Sequence, residues 1–150
     1  MAGVVALVAL SVSACGAVDI PDVEVTAAER TACETLVEAL PARVSDQPRR
    51  DTDGSPLGAA WGDPAIVLSC GVGEPRGFDQ FSSCQVADGL GWFVPDEQIE
   101  DQGRDVVMTT VERSPRVEVV VPAEYRPPPA VMVDLADAIK QHTELVKRCS

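Results

Sequence analysis

The sequence predicts an α+β domain: an N-terminal and a C-terminal helix packed on one face of an antiparallel sheet of about four strands, with two disulfides. Apolar residues recur at helical spacing near both ends, from Cys33 to Leu40 and from Val131 onward. Short apolar or β-branched runs bounded by Gly and Pro fill the middle, at Ala65–Cys70, Cys84–Val94, Asp105–Glu112 and Arg116–Val121. Of five cysteines, Cys33, Cys70, Cys84 and Cys149 fall in or beside these segments.

A chain of 150 residues suits one domain with a core of its own. The charge of −12 argues against nucleic acid as a partner, because a phosphate backbone is held by clustered Lys and Arg, and here the basic residues are scattered. An anionic lipid surface repels such a domain as well, so any attachment to a membrane needs an anchor. Arg outnumbers Lys and Asn is absent, a composition that fits a GC-rich genome.

The anchor is legible at the N-terminus. Val4 to Val12 is an apolar run about half the length that spans a bilayer, and Val12-Ser13-Ala14-Cys15 follows it at once. This is the pattern of a lipobox: small residues let a peptidase grip the chain, and the Cys15 thiol accepts a diacylglyceryl group. Residues 1–14 are then a lipoprotein-type signal peptide, 15–25 a short tether and 26–150 the domain. The expected location is extracytoplasmic, held to the outer face of the cell membrane by lipid on Cys15. No Lys or Arg precedes the apolar run, which departs from the usual signal and leaves room for a start upstream of Met1. The alternative is a plain secretory signal cut nearby. With Cys15 lipidated, the other four thiols form an even set for an oxidising compartment, and none has metal-site spacing.

Along the domain, Thr26 and Glu29 have the spacing of a capping box that opens a helix, which Pro41 ends near Leu40. Ser45 to Asp63 reads as a long loop, closed by the turn Trp61-Gly62-Asp63-Pro64. The first strand is Ala65–Cys70, and Gly71 to Ser83 is a loop. The second strand region breaks at Asp88-Gly89, and Pro95 to Arg104 is an acidic connection with room for one helical turn. Two valine-rich runs around Arg113-Ser114-Pro115 outline a hairpin. After Pro127-Pro128-Pro129, a helix runs to the terminus with Leu135, Ala138, His142, Leu145 and Cys149 on one side. If the two terminal helices lie antiparallel, Cys33 meets Cys149, and Cys70 meets Cys84 across the loop between consecutive strands.

Trp61-Gly-Asp-Pro-Ala-Ile-Val-Leu-Ser-Cys70-Gly-Val72, then Cys84-Gln-Val86 and Gly91-Trp92, give the chain a specific likeness. It resembles the actinobacterial lipoproteins catalogued as domain of unknown function 3515, over about Cys33 to Cys149. The resemblance implies a secreted or lipid-anchored envelope protein with two disulfides. Some members lie near the gene for the cell-wall D-Ala-D-Ala ligase, an association that identifies no reaction. The family brings no catalytic residues to carry over.

The residues themselves offer little chemistry. His142 is the single histidine and falls on the apolar side of its helix, where packing is the expectation and catalysis or metal binding the rival. Asp51-x-Asp53-Gly54 imitates part of a calcium loop but lacks the flanking carboxylates, so no metal is expected. Asp96, Glu97, Glu100 and Asp101 have nothing to split their acidities, so they read as a wet loop rather than an acid and a base. Trp61 and Trp92 read as core. The segment with a claim on binding is Gly71 to Ser83, where Arg76, Phe78 and Phe81 form a possible partner-binding loop. The competing expectation is that both rings fold back as a satellite core. The function expected is therefore a non-enzymatic envelope lipoprotein, without cofactor, that binds or assembles a membrane or wall-synthesis protein. The alternatives are a small-ligand carrier with a pocket between helices and sheet, and a carboxylate-dependent envelope enzyme.

Overall fold

The computed structural model describes residues 16–146; Cys15 with the expected signal peptide before it, and Cys149, lie outside the described residues. In chain order, β1 (Val18–Ile20) is followed by helix α1 (Ala27–Ala39), then β2 (Arg43–Val44), β3 (Gln47–Arg50), β4 (Thr52–Gly54), β5 (Gly58–Trp61) and β6 (Ile66–Val72). After a loop come β7 (Gln85–Ala87), β8 (Leu90–Phe93), the short helix α2 (Asp96–Glu100), β9 (Val106–Thr110), β10 (Arg113–Ser114) and β11 (Arg116–Val121). A 3-10 turn at Ala123–Tyr125 leads to α3 (Pro129–His142) and β12 (Glu144–Leu145).

The main sheet has eight strands in the order β2-β3-β5-β6-β11-β9-β8-β7, so the expectation of about four strands is overturned. Every neighbouring pair in it is antiparallel. Two small sheets flank it: β1 beside β4, and β10 beside β12. Two of the extra main-sheet strands, β3 and β5, come from the stretch expected as a long loop, and β2 lies just before it. β2 and β3 are joined through Ser45 and Asp46, both at positive φ (48° and 61°), a primed hairpin turn built without its usual Asn-Gly signal. In β5 all four residues are buried, which erases the alternation that marks a half-buried strand. Gly58 is needed there because a Cβ would lie 2.4 Å from the Leu68 carbonyl oxygen and 2.5 Å from Ile20 Cγ2. Ile20 itself belongs to β1, inside the stretch expected as tether, and is buried.

Helix α1 opens on the capping box: Thr26 N donates to Glu29 Oε2 at 2.8 Å, and Glu29 N donates to Thr26 Oγ1 at 3.3 Å. It ends at Ala39 because Pro41 holds Leu40 extended, at φ −64° and ψ 143°. Cys33, Leu36 and Leu40 face the core, where α3 contributes Val131, Leu135 and Ile139, and the two helices touch. Burying a side chain such as Leu36 contributes about 2 kcal/mol. Trp61 and Trp92 are fully buried in this core; the Trp61 indole N–H donates to the Pro41 carbonyl at 2.9 Å, and Arg49 lies over its ring.

Three expectations about the ends of the fold are corrected. The helix expected to run to the terminus stops at His142, because Thr143 turns extended (φ −130°, ψ 154°) with its N–H and hydroxyl both on the Ile139 carbonyl. Leu145 is then a strand residue, 44% exposed, not part of a helical stripe. The disulfide pairing of Cys33 with Cys149 and Cys70 with Cys84 is also wrong. Cys33 bonds Cys70, with their Cα atoms 5.5 Å apart, because α1 lies along β5 and β6 and points its buried cysteine at the sheet. Cys84 is disulfide-bonded as well, and its partner is not among the described residues.

Candidate functional site

The loop between β6 and β7 is ordered by its own residues. Just before the loop, Gly71 of β6 sits at φ 90° where the register with β11 shifts, and a Cβ there would meet Val25 Cγ1 at 2.3 Å, so this irregular end of the strand needs glycine. Phe78 N then donates to the Pro75 carbonyl, and Asp79 organises the next turn. The Asp79 carboxylate accepts from Phe81 N at 2.8 Å and from the Ser82 hydroxyl at 3.2 Å, while Asp79 N donates to Ser82 Oγ at 2.9 Å. Cys84, at the far end of the loop, is disulfide-bonded.

The two rings of this loop take different parts. Phe78 folds back edge-on against Phe93, with ring centroids 5.3 Å apart and planes at 69°. Phe81, held by the Asp79 turn, is 84% exposed. The satellite-core expectation thus describes Phe78 and the presented-ring expectation describes Phe81. Arg76 is exposed and lines two adjoining depressions.

One depression, of about 210 Å³, lies between Phe81 and the start of α2 and is edged by Arg76, Ser82, Asp96 and Glu97. The other, of about 370 Å³, opens on the sheet face away from α1 and α3, with Phe93, Gln98, Val107, Thr109 and Glu118 in its wall and floor. Glu118 gets there by strand alternation: Val117, Val119 and Val121 of β11 enter the core, so residue 118 points the other way. Its register partners are Ser69 on β6 and Thr109 on β9. Burial raises the Glu118 carboxyl above the usual carboxylate range. The arrangement offers an exposed aromatic, an exposed guanidinium and a half-buried carboxylate in two adjoining depressions, which suits recognition of a mixed apolar and polar surface.

The sequence singled out Arg76, Phe78 and Phe81 but not Glu118 or Phe93, which the structure places beside them. The available signal for Glu118 was its place as the lone charge in the alternating run Val117 to Val121. The remaining candidates lie elsewhere. His142 is half-buried and lines a separate cleft of about 450 Å³ between α1 and the end of α3, with Glu29, Thr35, Ser114, Gln141 and Glu144. Asp51 and Asp53 are exposed at β4, and among the described residues no group of three or more His, Cys, Asp or Glu is placed to hold a metal. Asp96, Glu97, Glu100 and Asp101 are all exposed, the first three on α2. Among the described residues no helix is long and apolar enough to cross a membrane.

No curated protein and no solved structure matches the chain. A family model does, over residues 1–147, and the chain belongs to that family, described as Protein of unknown function (DUF3515).

Proposed function

We propose that this protein is a cell-envelope lipoprotein, anchored through Cys15, whose domain acts without catalysis as a binding module for a membrane or wall-synthesis protein. The observation that carries the reading is Phe81, a large ring 84% exposed on a loop already held in shape by hydrogen bonds and a ring contact. Large rings are the side chains that interfaces use as anchors, and a preformed loop keeps the ordering cost of binding low. Val12-Ser13-Ala14-Cys15 supports the anchor. Of the alternatives, a carrier with its pocket between helices and sheet is disfavoured by the closely filled core there, where Trp61, Trp92, Leu36 and Leu135 are fully buried.

The test has two arms in the native envelope. Cys15→Ser should abolish incorporation of a labelled fatty acid and release the protein from the membrane. A photo-crosslinking residue at position 81 should give a discrete adduct that the same residue at the exposed α1 position Glu34 does not. Equal adducts from both positions, or undiminished lipid labelling of Cys15→Ser, overturn the reading.

A further inference from the structure

We infer that Cys84 is joined by a disulfide to Cys149, which staples the carboxyl-terminal tail to the base of the loop that carries Phe81 and leaves Cys15 as the one cysteine outside a disulfide. The inference rests on the sheet geometry and goes beyond the binding-module reading, which it does not require.

The count leaves two candidates. The chain has five cysteines. Cys33 and Cys70 are bonded to each other, and Cys84 is bonded to a cysteine outside the described residues, which is Cys15 or Cys149. The sheet keeps Cys15 away. The carbonyl of its neighbour Gly16 accepts from Arg50 Nη2 at 2.9 Å, and Val18 N donates to the Asp51 carbonyl at 2.9 Å, so this end of the chain is held beside β3 and β4. Cys84 immediately precedes β7, six strand spacings from β3 in the sheet order, or roughly 29 Å along the sheet. The sheet bends so that β2 and β7 both touch α3, but a helix about 10 Å thick then stands between its edges. A disulfide from Cys15 could place Cys84 no more than about 11 Å from Gly16, which does not bridge that distance.

The opposite terminus arrives beside β7. Val146 N donates to the Glu112 carbonyl at 2.9 Å, and the Glu112 carboxylate in turn accepts from Gly91 N at 3.0 Å. Gly91 is the register partner of Val86, which follows Cys84 by two residues, so Gly91 and Cys84 lie about 8 Å apart. From Val146 to Cys149 the chain extends by up to roughly 10 Å, and a disulfide spans about 5.5 Å more between Cα atoms. That reach covers the gap from Glu112 to Cys84.

Each end has a use for the bond. Strand β12 is two residues long and pairs with the equally short β10, and Leu145 and Val146 are exposed, so hydrogen bonds hold the tail weakly. At the other end Ser82, two residues before Cys84, supplies the hydroxyl of the Asp79 turn that presents Phe81. A bond to the tail fixes the base of this loop from outside. It forms by thiol–disulfide exchange with an oxidised dithiol oxidoreductase. One thiolate, of Cys84 or Cys149, attacks that disulfide and releases a thiolate, and the other then displaces the oxidoreductase from the mixed disulfide. Two electrons and two protons pass to the oxidoreductase, which leaves as a dithiol.

The test is a non-reducing mass map of the full chain, purified from its native cells and alkylated before digestion. Cleavage after glutamate puts the five cysteines on separate fragments, with Cys84 in 75–97 and Cys149 in 145–150. These two should appear as one cross-linked species that reduction separates, and the protein should run as a monomer without reductant. Cys149→Ser should leave Cys84 as a thiol that takes one alkyl group, with the Cys33–Cys70 bond unchanged. Cys84→Ser, Cys149→Ser and the double variant should lower the melting temperature equally, since each removes the same bond. A fragment joining Cys84 to Cys15, an alkylated Cys84 in the parent, a reducible dimer, or additive losses in the double variant overturns the inference. Cys15→Ser should leave the cross-linked species intact, so failure of the anchor and failure of the staple are read separately.

Discussion

Phe78 meets Phe93 edge to face while Phe81, three residues on, stands in solvent, so one loop divides its two rings between holding and display. Phe78→Ala should therefore destabilise the fold by about 1 to 2 kcal/mol, from lost ring contact and burial. Phe81→Ala should change stability by less than about 0.5 kcal/mol. Urea unfolding of both variants checks this, and equal losses would show that Phe81 is structural.

Glu118 gives a pH signature. Its folded pKa is raised by burial, so protonation favours the native state: this contribution is present below the unfolded carboxylate value and is lost as pH rises through the folded one. Glu118→Gln should then be more stable than the parent at neutral pH, by roughly 0.5 kcal/mol after allowing for its half-exposed position. The difference should fade below the ordinary glutamate range. Thermal unfolding across pH 3 to 8 reads this (about 4.3 being the reference value), and a benefit that grows on acidification would contradict it.

A non-reducing peptide map should contain a Cys33–Cys70 cross-link and lack both Cys33–Cys149 and Cys70–Cys84. The bond closes a separation of 37 residues, for which chain entropy suggests a stabilisation of about 4 kcal/mol. Replacing both cysteines by Ala should lower the unfolding free energy by that order, and a negligible change would contradict it.

The capping box predicts a loss of about 1 kcal/mol for Thr26→Ala. Hydrogen bonds from Thr26, the backbone one foremost, lower the Glu29 pKa, so its contribution is present above the ordinary glutamate value and disappears as pH falls through the lowered one. The cost of Thr26→Ala should shrink on acidification, as denaturation at neutral and low pH would reveal.

Local chemistry was enough for part of this fold. The sequence alone determined where α1 begins and ends, since Thr26, Glu29 and Pro41 act on backbone groups within a turn of themselves. It also located a break at Asp88-Gly89, which the structure makes a hairpin turn, and the antiparallel pairing of β9 with β11, set by turn residues and β-branched runs. Arg76, Phe78 and Phe81 stood out as a loop with large side chains between strands. Tertiary structure decided the rest. β5 is buried on both faces and shows no alternation, and β2 with β3 turns on Ser45 and Asp46, whose positive φ only the assembled sheet enforces. Which cysteines meet depends on where α1 lies across the sheet, and which of two nearby phenylalanines is covered depends on where Phe93 sits. Glu118 became part of a depression only when three strands brought Ser69 and Thr109 to either side of it. Such relations join residues far apart in the chain, and they are fixed by packing a shared core, which no short stretch of sequence encodes.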